Sequence, residues 1–534
     1  IAVKESDPWT VMTSYNKING VYTSESEELI EKILREEWGY KGMVMTDWYG
    51  GKDAVAQMVA GNDMLQPGRP SQYHEIIDGV NEGKLDVALL DRNVKRILEY
   101  IVKTPRFKGY QYSDKPQLEA HAKVTRECAA EGMVLLENRN NALPLGPNVK
   151  QMALYGITSY DFIAGGTGSG NVNRAYTVSL EEGLTNAGIA VDQKVKAEYD
   201  AYQQKYRAEQ EAKNEEARKR GDWLYTMTAQ PLPAEIIPAA SALASAVKAN
   251  DAAVITLGRV SGEFKDRTDA DYMISAEEKA LIEKVSKAYQ AAGKPVIVVL
   301  NIGGVIESSS WKKCPDAILL AWQAGQEGGN SVVDVLTGKQ NPSGRLPMTW
   351  PNSLGDHSAS SNFPHAEQFP GVFAGQGEER EPYSTYDYTD YAEGIYVGYR
   401  CMDKQNLAVS YPFGYGLSYT TFEYTNAKVE SDGKTIKVNV DIKNVGKISG
   451  KEVVQLYVSA PKGTLDKPVQ ELKAFAKTKV LAAGETQTVT LEVSVADLAS
   501  YSEENSQWVV DPGTYQLHIG ASSRDLREEL QIEI

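Results

Sequence analysis

Two carboxylates in this chain stand where chemistry could use them: Asp47 and Glu263. Asp47 closes the run Met43-Val44-Met45-Thr46 and is followed by Trp48. A short run apolar on both faces, flanked by Gly39 and Gly42, predicts a buried strand of a parallel sheet. Its C-terminal tip then presents an acid beside a flat indole, and in barrels of parallel strands catalytic groups occupy that tip. The alternative is an Asp that caps the next helix, followed by a core Trp. Glu263 lies in Gly258-Arg259-Val260-Ser261-Gly262-Glu263, directly after a predicted strand over 252–257. Gly262 beside it leaves the carboxylate uncrowded on one side. Its alternative is an exposed Glu paired with Lys265 or Arg267, which is worth little energetically.

Carboxylates at two strand exits are what glycosidic bond cleavage requires. One attacks or stabilises the anomeric carbon, and the other donates a proton to the leaving oxygen. The donor must hold its proton near neutral pH, which a partly dry or anionic setting can arrange. Tyr15 and Trp48 would offer flat apolar faces to a pyranose, with core packing as the alternative. The run Gly165-Gly166-Thr167-Gly168-Ser169-Gly170 is not a phosphate cradle, because no Gly-Lys-Ser/Thr follows it. GxGxxG in a strand-turn-helix setting is also absent, so the run reads as a flexible loop lining a cleft. Three cysteines (Cys128, Cys314, Cys401) far apart and five histidines support neither a disulfide framework nor a metal site, and no cofactor is expected.

The elements that must position these groups fall into three patterns. Residues 1–110 alternate strand and helix: a strand over 9–15, a helix over 24–38, the strand 43–46 and a helix over 52–60. The short Asn62-Asp63-Met64-Leu65 follows, then a helix from Asp86 to Tyr100 with Asp86 as its cap. Such alternation means parallel α/β structure. So few units cannot close a barrel, so the rest is expected from an upstream portion or another polypeptide. From about 111 to 410 a second α/β region carries strands over 151–155, 252–257, 296–300 and 317–322. Ser275-Ala276-Glu277-Glu278 forms a capping box there, and 194–221 reads as a solvated helix. An acidic, Tyr-rich stretch over 378–391 reads as a surface excursion. Beyond Tyr411 the period changes to two: Ile436, Val438, Val440 and Ile442 alternate, as do Val489, Leu491, Val493 and Val495. Turns at Asn444-Val445-Gly446 and Asp511-Pro512-Gly513 complete an all-β sandwich over 411–534.

The composition fits a multidomain globular chain of 534 residues. Net charge is −16, from 56 Lys+Arg against 72 Asp+Glu, which argues against nucleic acid and anionic membrane as partners. No apolar run is long enough to span a bilayer.

With these segments in place the chain resembles glycoside hydrolase family 3, β-glucosidase type. The resemblance is carried by Val11-Met12-Thr13-Ser14-Tyr15-Asn16, Thr46-Asp47-Trp48, Gly61-Asn62-Asp63-Met64, Gly165 to Gly170 and Ser261-Gly262-Glu263 with Asp266-Arg267. It continues through Ala324 to Gly329, Pro342-Ser343-Gly344-Arg345-Leu346-Pro347, Tyr411 to Tyr419 and Pro468-Val469-Gln470-Glu471-Leu472-Lys473. It implies the C-terminal part of a (β/α)8-type barrel, then an (α/β)6 sandwich, then a fibronectin type III-like domain. It implies a retaining, exo-acting β-glucosidase, with Asp47 the nucleophile and Glu263 the acid/base. Met12, Tyr15 and Trp48 would contact the sugar of a small oligosaccharide or β-glucoside. Trp after the Asp is similar to glucosidases, whereas xylosidase-type members more often have Cys there. The family's Lys-His pair and its sugar-holding Arg and Asp have no counterpart in this sequence. A β-xylosidase, a broad-specificity β-glycosidase and a non-catalytic homologue are the rival readings. A homodimer and a periplasmic or secreted location are expectations from the resemblance alone.

Overall fold

A computed structural model describes residues 2–222, 225–226, 230–263, 267, 269–361 and 390–534. The chain divides into two compact units, Ile1–Pro116 and Gln117–Ile534.

In the first unit, Thr10–Thr13 pairs in parallel with Met43–Thr46, and Met64 makes a parallel bridge to Met45. Val44 and Met43 are buried, as the apolar run predicts. The first strand is shorter than 9–15, because Thr23 Oγ1 accepts the Ser14 amide (3.1 Å) and donates to the Ser14 carbonyl (2.7 Å), which draws the chain out of the ladder. The helix expected over 24–38 is a π-helix, Glu28–Glu37, burying Ile30 and Leu34. The helix expected over 52–60 begins only at Ala54. Asp53 caps it through the Ala56 amide (2.9 Å), and Glu25 Oε1 holds the Lys52 and Asp53 amides at 2.6 and 3.0 Å. Asp86 caps Val87–Lys103 as expected.

One buried carboxylate ties these pieces together. Asp63 accepts the Val44 amide at 2.8 Å and pairs with Arg35 (2.8 Å) and Arg96 (3.5 Å). Burial raises the Asp63 carboxyl and lowers the Arg35 guanidinium, so each holds the other in its charged form against desolvation.

The second unit opens with the helix Leu118–Gly132 and a six-stranded sheet. Its order is Val134–Asn138, Ala317–Leu320, Val296–Ile302, Ala252–Arg259, Gln151–Tyr155, Ala190–Val191. Neighbours are parallel except Val134–Asn138, which runs antiparallel to Ala317–Leu320 and is bridged on Leu135 by Leu417. Alternate residues feed two cores: Ala253, Ile255 and Leu257 one, Ala252 and Val254 the other. Helices therefore cover both faces, with Ala276–Gln290 supplying Leu281, Ile282 and Val285 to one and Gly328–Leu336 supplying Val332, Val333 and Val335 to the other. The strand expected over 317–322 stops at Leu320, and Trp322 turns out of it at φ +56°. The Ser275 capping box is present. The solvated helix runs Gln193–Arg220 and buries only Val195, Tyr199, Gln203 and Ala217.

Val409–Tyr411 pairs with Trp350–Pro351. The sandwich strands start at Phe422 and form sheets of three and four strands. Ile436, Val438, Val440 and Ile442 are fully buried between them, so the period-two pattern marks the inner face. Asn444 makes its turn by accepting the Gly446 amide (3.1 Å) and donating to Ile448 and Leu481 carbonyls. Of the Tyr-rich stretch, residues 378–389 lie outside the described residues.

Candidate active site

Asp47 sits at the tip of the central strand of the first unit. Its amide donates to the Thr13 carbonyl (3.0 Å), which joins the ends of the two neighbouring strands. Its Oδ1 accepts the Trp48 amide (2.7 Å), so the side chain is turned by its own neighbour. It caps no helix; that task falls to Asp53. The turn after it is tightly held. Tyr49 adopts φ +64° with its amide on the Gln66 carbonyl (3.1 Å), and Gln57 donates to the Gly50 carbonyl (2.5 Å). Trp48 is thus presented outward, 57% exposed, with its ring edge-on to Tyr49. Tyr15 is 56% exposed, two residues beyond the strand whose tip carbonyl binds Asp47. Met12 is also exposed and lies opposite Met45 in the ladder. Asp47, Trp48, Tyr15 and Met12 therefore share one unit, and the two aromatics belong to the tip rather than to the core.

Glu263 belongs to the second unit and is exposed. It edges a cavity of about 580 Å³ whose walls include Arg259, Glu235 and Leu232. Arg267 does not pair with it, because that guanidinium donates to the Asp271 (3.1 Å) and Val305 (2.7 Å) carbonyls. Lys265 lies outside the described residues.

The glycine run, expected to be a flexible cleft lining, instead packs against the Glu263 loop. Thr167 bridges Gly262, and its amide donates to the Ser261 carbonyl at 3.0 Å. A Cβ on Gly168, at φ +67°, would lie 2.6 Å from Glu263 Cβ, and one on Gly262 would lie 2.0 Å from Thr167 Oγ1. These glycines are required for close approach of two backbones. Sequence reading separated the run from Glu263 by nearly a hundred residues, and only its three-dimensional pairing reveals the connection. Arg259 was also missed: it ends the strand before the loop and bonds Glu278 through both oxygens (2.6 and 2.9 Å). Its signal was the Glu278 of the capping box, which here serves two partners.

Among the described residues no cluster of His, Cys, Asp and Glu could hold a metal ion, and no helix is long and apolar enough to cross a membrane.

Family models match along the chain. The glycosyl hydrolase family 3 N terminal domain covers residues 1–100, its C-terminal domain 133–419, and a fibronectin type III-like domain 452–523. Thermostable β-glucosidase B of Acetivibrio thermocellus is 34% identical over 99% of this chain and 64% of its own length. Exo-α-(1→6)-L-arabinopyranosidase of Bifidobacterium breve is 32% identical over 100% of this chain and 64% of its own length. The chain thus spans just under two thirds of these relatives. β-Glucosidase 3B from Thermotoga neapolitana, solved in complex with glucose, superposes with a TM-score of 0.89 at 44% identity, covering 100% of this chain and 72% of that one. The α/β units, the terminal sandwich and the matches to both domain models together place the chain in glycosyl hydrolase family 3.

Proposed function

We propose that the chain carries the catalytic carboxylates of a retaining, exo-acting β-glucosidase, with Asp47 as nucleophile and Glu263 as acid/base. The observation that supports this best is the setting of Asp47: a strand-tip carboxylate, released from capping, with one oxygen fixed by the Trp48 amide. Fixing Oδ1 in this way leaves the carboxylate oriented, which lowers the cost of reaching an attacking geometry. Asp47 attacks the anomeric carbon while Glu263 gives its proton to the departing glycosidic oxygen. Glu263 then takes a proton from water, and that water displaces Asp47 with the original anomeric configuration restored. The exposed ring of Trp48, with Tyr15 also exposed just beyond the end of the adjoining strand, suits the apolar C–H face of a pyranose. Met12 is the further sugar contact this reading assigns.

The reading requires additional barrel strands, from a longer form of this polypeptide or from a second chain. The intact mass of the purified active species distinguishes these two. The arabinopyranosidase among the relatives supports a second reading, in which the sugar pocket takes a pentopyranose.

Turnover of aryl β-glucoside, β-xyloside and α-L-arabinopyranoside decides among the substrates. Asp47→Ala should lose activity on the preferred one by roughly a thousandfold or more, and added azide should restore turnover and yield the glycosyl azide of inverted configuration, the α-anomer from a β-glucoside. An Asp47→Ala protein as active as the parent would overturn the assignment.

A further inference from the structure

The wall of the Glu263 cavity includes a proline-rich stretch, Pro231 to Glu235. It is strapped to the long helix Gln193–Arg220, since Tyr206 donates to the Pro231 carbonyl and Tyr202 to the Ala234 carbonyl (3.0 Å). Glu235 Oε1 accepts the Ile157 amide at 3.2 Å. The residue as a whole is only partly buried, but its Oε2 is buried and meets no hydrogen-bond partner.

The Arg259 guanidinium in the same wall has no N–H left to supply one. A guanidinium has five N–H bonds, and those of Arg259 are all committed. They go to the carbonyls of Asp271 (3.0 Å), Gly258 (2.7 Å) and Met273 (3.1 Å) and to the two Glu278 oxygens (2.6 and 2.9 Å). Of the two carboxyl groups Glu235 and Glu278 in this wall, Arg259 is therefore bonded only to Glu278. A buried carboxylate oxygen without a donor is costly, and keeping the proton removes the cost. Burial pushes Glu235 up to about 8; the Ile157 amide and Arg259 oppose this, and Glu278 adds to it. Tyr199 and Tyr202 of the long helix also face it, and both are raised, first by their own burial and then by Glu235.

Arg259 is the last residue of the strand that leads into the Glu263 loop. We propose that Glu235 is a positioning residue for Glu263. In its neutral form it leaves Arg259 on Glu278 and the backbone carbonyls, which anchors the base of the loop. As a carboxylate it competes for Arg259 and loosens that anchor. This rests on the reading of Glu263 as acid/base.

The test compares the full chain with Glu235→Gln and Glu235→Leu, both permanently neutral, using two readouts. The first is Tm against pH. A folded-state pKa above the unfolded value means that the folded state holds the extra proton, so this group's contribution to stability falls as pH rises between about 4.5 and about 8. The parent Tm should therefore decline across that window relative to both variants. The second is kcat/KM on an aryl β-glucoside. Between about pH 6 and about pH 9 the parent should lose roughly tenfold more than Glu235→Gln. Parallel Tm curves for all three proteins would show that Glu235 ionises normally and overturn the proposal. A Tm difference with identical alkaline limbs of kcat/KM would overturn the positioning role. A parent with no turnover at any pH, assayed with the additional barrel strands supplied, overturns the glycosidase reading instead, and the Tm curves still decide whether Glu235 keeps its proton.

Discussion

At the scale of single residues, the two proposed catalytic carboxylates are held by opposite means. Asp47 is fixed by hydrogen bonds: its amide to Thr13 and its Oδ1 to the Trp48 amide. Glu263 is placed by shape, its Cβ lying against a glycine that a methyl group could not replace. Gly168→Ala adds a side chain at φ +67°, which alone costs about 1 kcal/mol, and must also push Glu263 aside. Its kcat/KM on an aryl β-glucoside should fall about tenfold or more, since small displacements of a reacting group are expensive. Gly170→Ala is the control, because a Cβ there meets nothing within 4 Å, and it should change neither Tm nor kcat/KM.

Among the elements, the helix Leu118–Gly132 is joined to the sandwich by charge. Glu131 pairs with Lys451 and Lys477, and accepts from Gln340 at 3.0 Å. Burial raises its carboxyl, but the two ammonium groups more than offset that and leave it below the usual range. A depressed carboxyl stabilises the fold above its unfolded pKa, and that contribution is lost as pH falls through the lower folded value. Glu131→Gln should therefore lower Tm at neutral pH by the equivalent of about 1 kcal/mol, the pair being partly exposed. The deficit should narrow progressively as pH falls below about 4.5, as measured by thermal melts across the acid range.

The same scale shows what was legible in the sequence. Period-two alternation located the inner face of the sandwich, because Ile436 to Ile442 have one apolar and one wet side. Fully apolar runs located the central strands over 252–257 and 296–300, because both faces are covered. Val134–Asn138 was not read as a strand: it follows its helix after only Met133, and its partner Ala317–Leu320 is far along the chain. Helix starts failed where side chains from elsewhere took the first amides, as Glu25 does for Lys52 and Asp53. The positions of Asp47 and Glu263 at strand exits were readable. Their supports, Gly168 and Arg259, depend on pairings that no local pattern encodes.

For the whole molecule, the cores respect the division into two units. Among the described residues, the three large clusters draw on the second unit and the smallest, around Ile30, Leu34 and Val44, on the first. A fragment spanning 117–534 should therefore fold alone and melt cooperatively in circular dichroism, while showing no turnover because Asp47 is outside it. A molten fragment with no cooperative transition would count against independent cores.

The antiparallel strand Val134–Asn138 has a consequence for life at high concentration. A parallel sheet ends in unpaired backbone that another copy of the chain can extend, which is a common route to aggregation. Here one margin is closed by that strand, itself bridged by Leu417, whose amide bonds Leu135 at 2.8 Å. The other margin is Ala190–Val191, only two residues long. The first is occupied at Leu135 by the Leu417 segment and the second is too short to template growth, so both margins disfavour edge-to-edge extension. Mutations that detach Leu417 should show first as turbidity in concentrated samples, well before any loss of secondary structure.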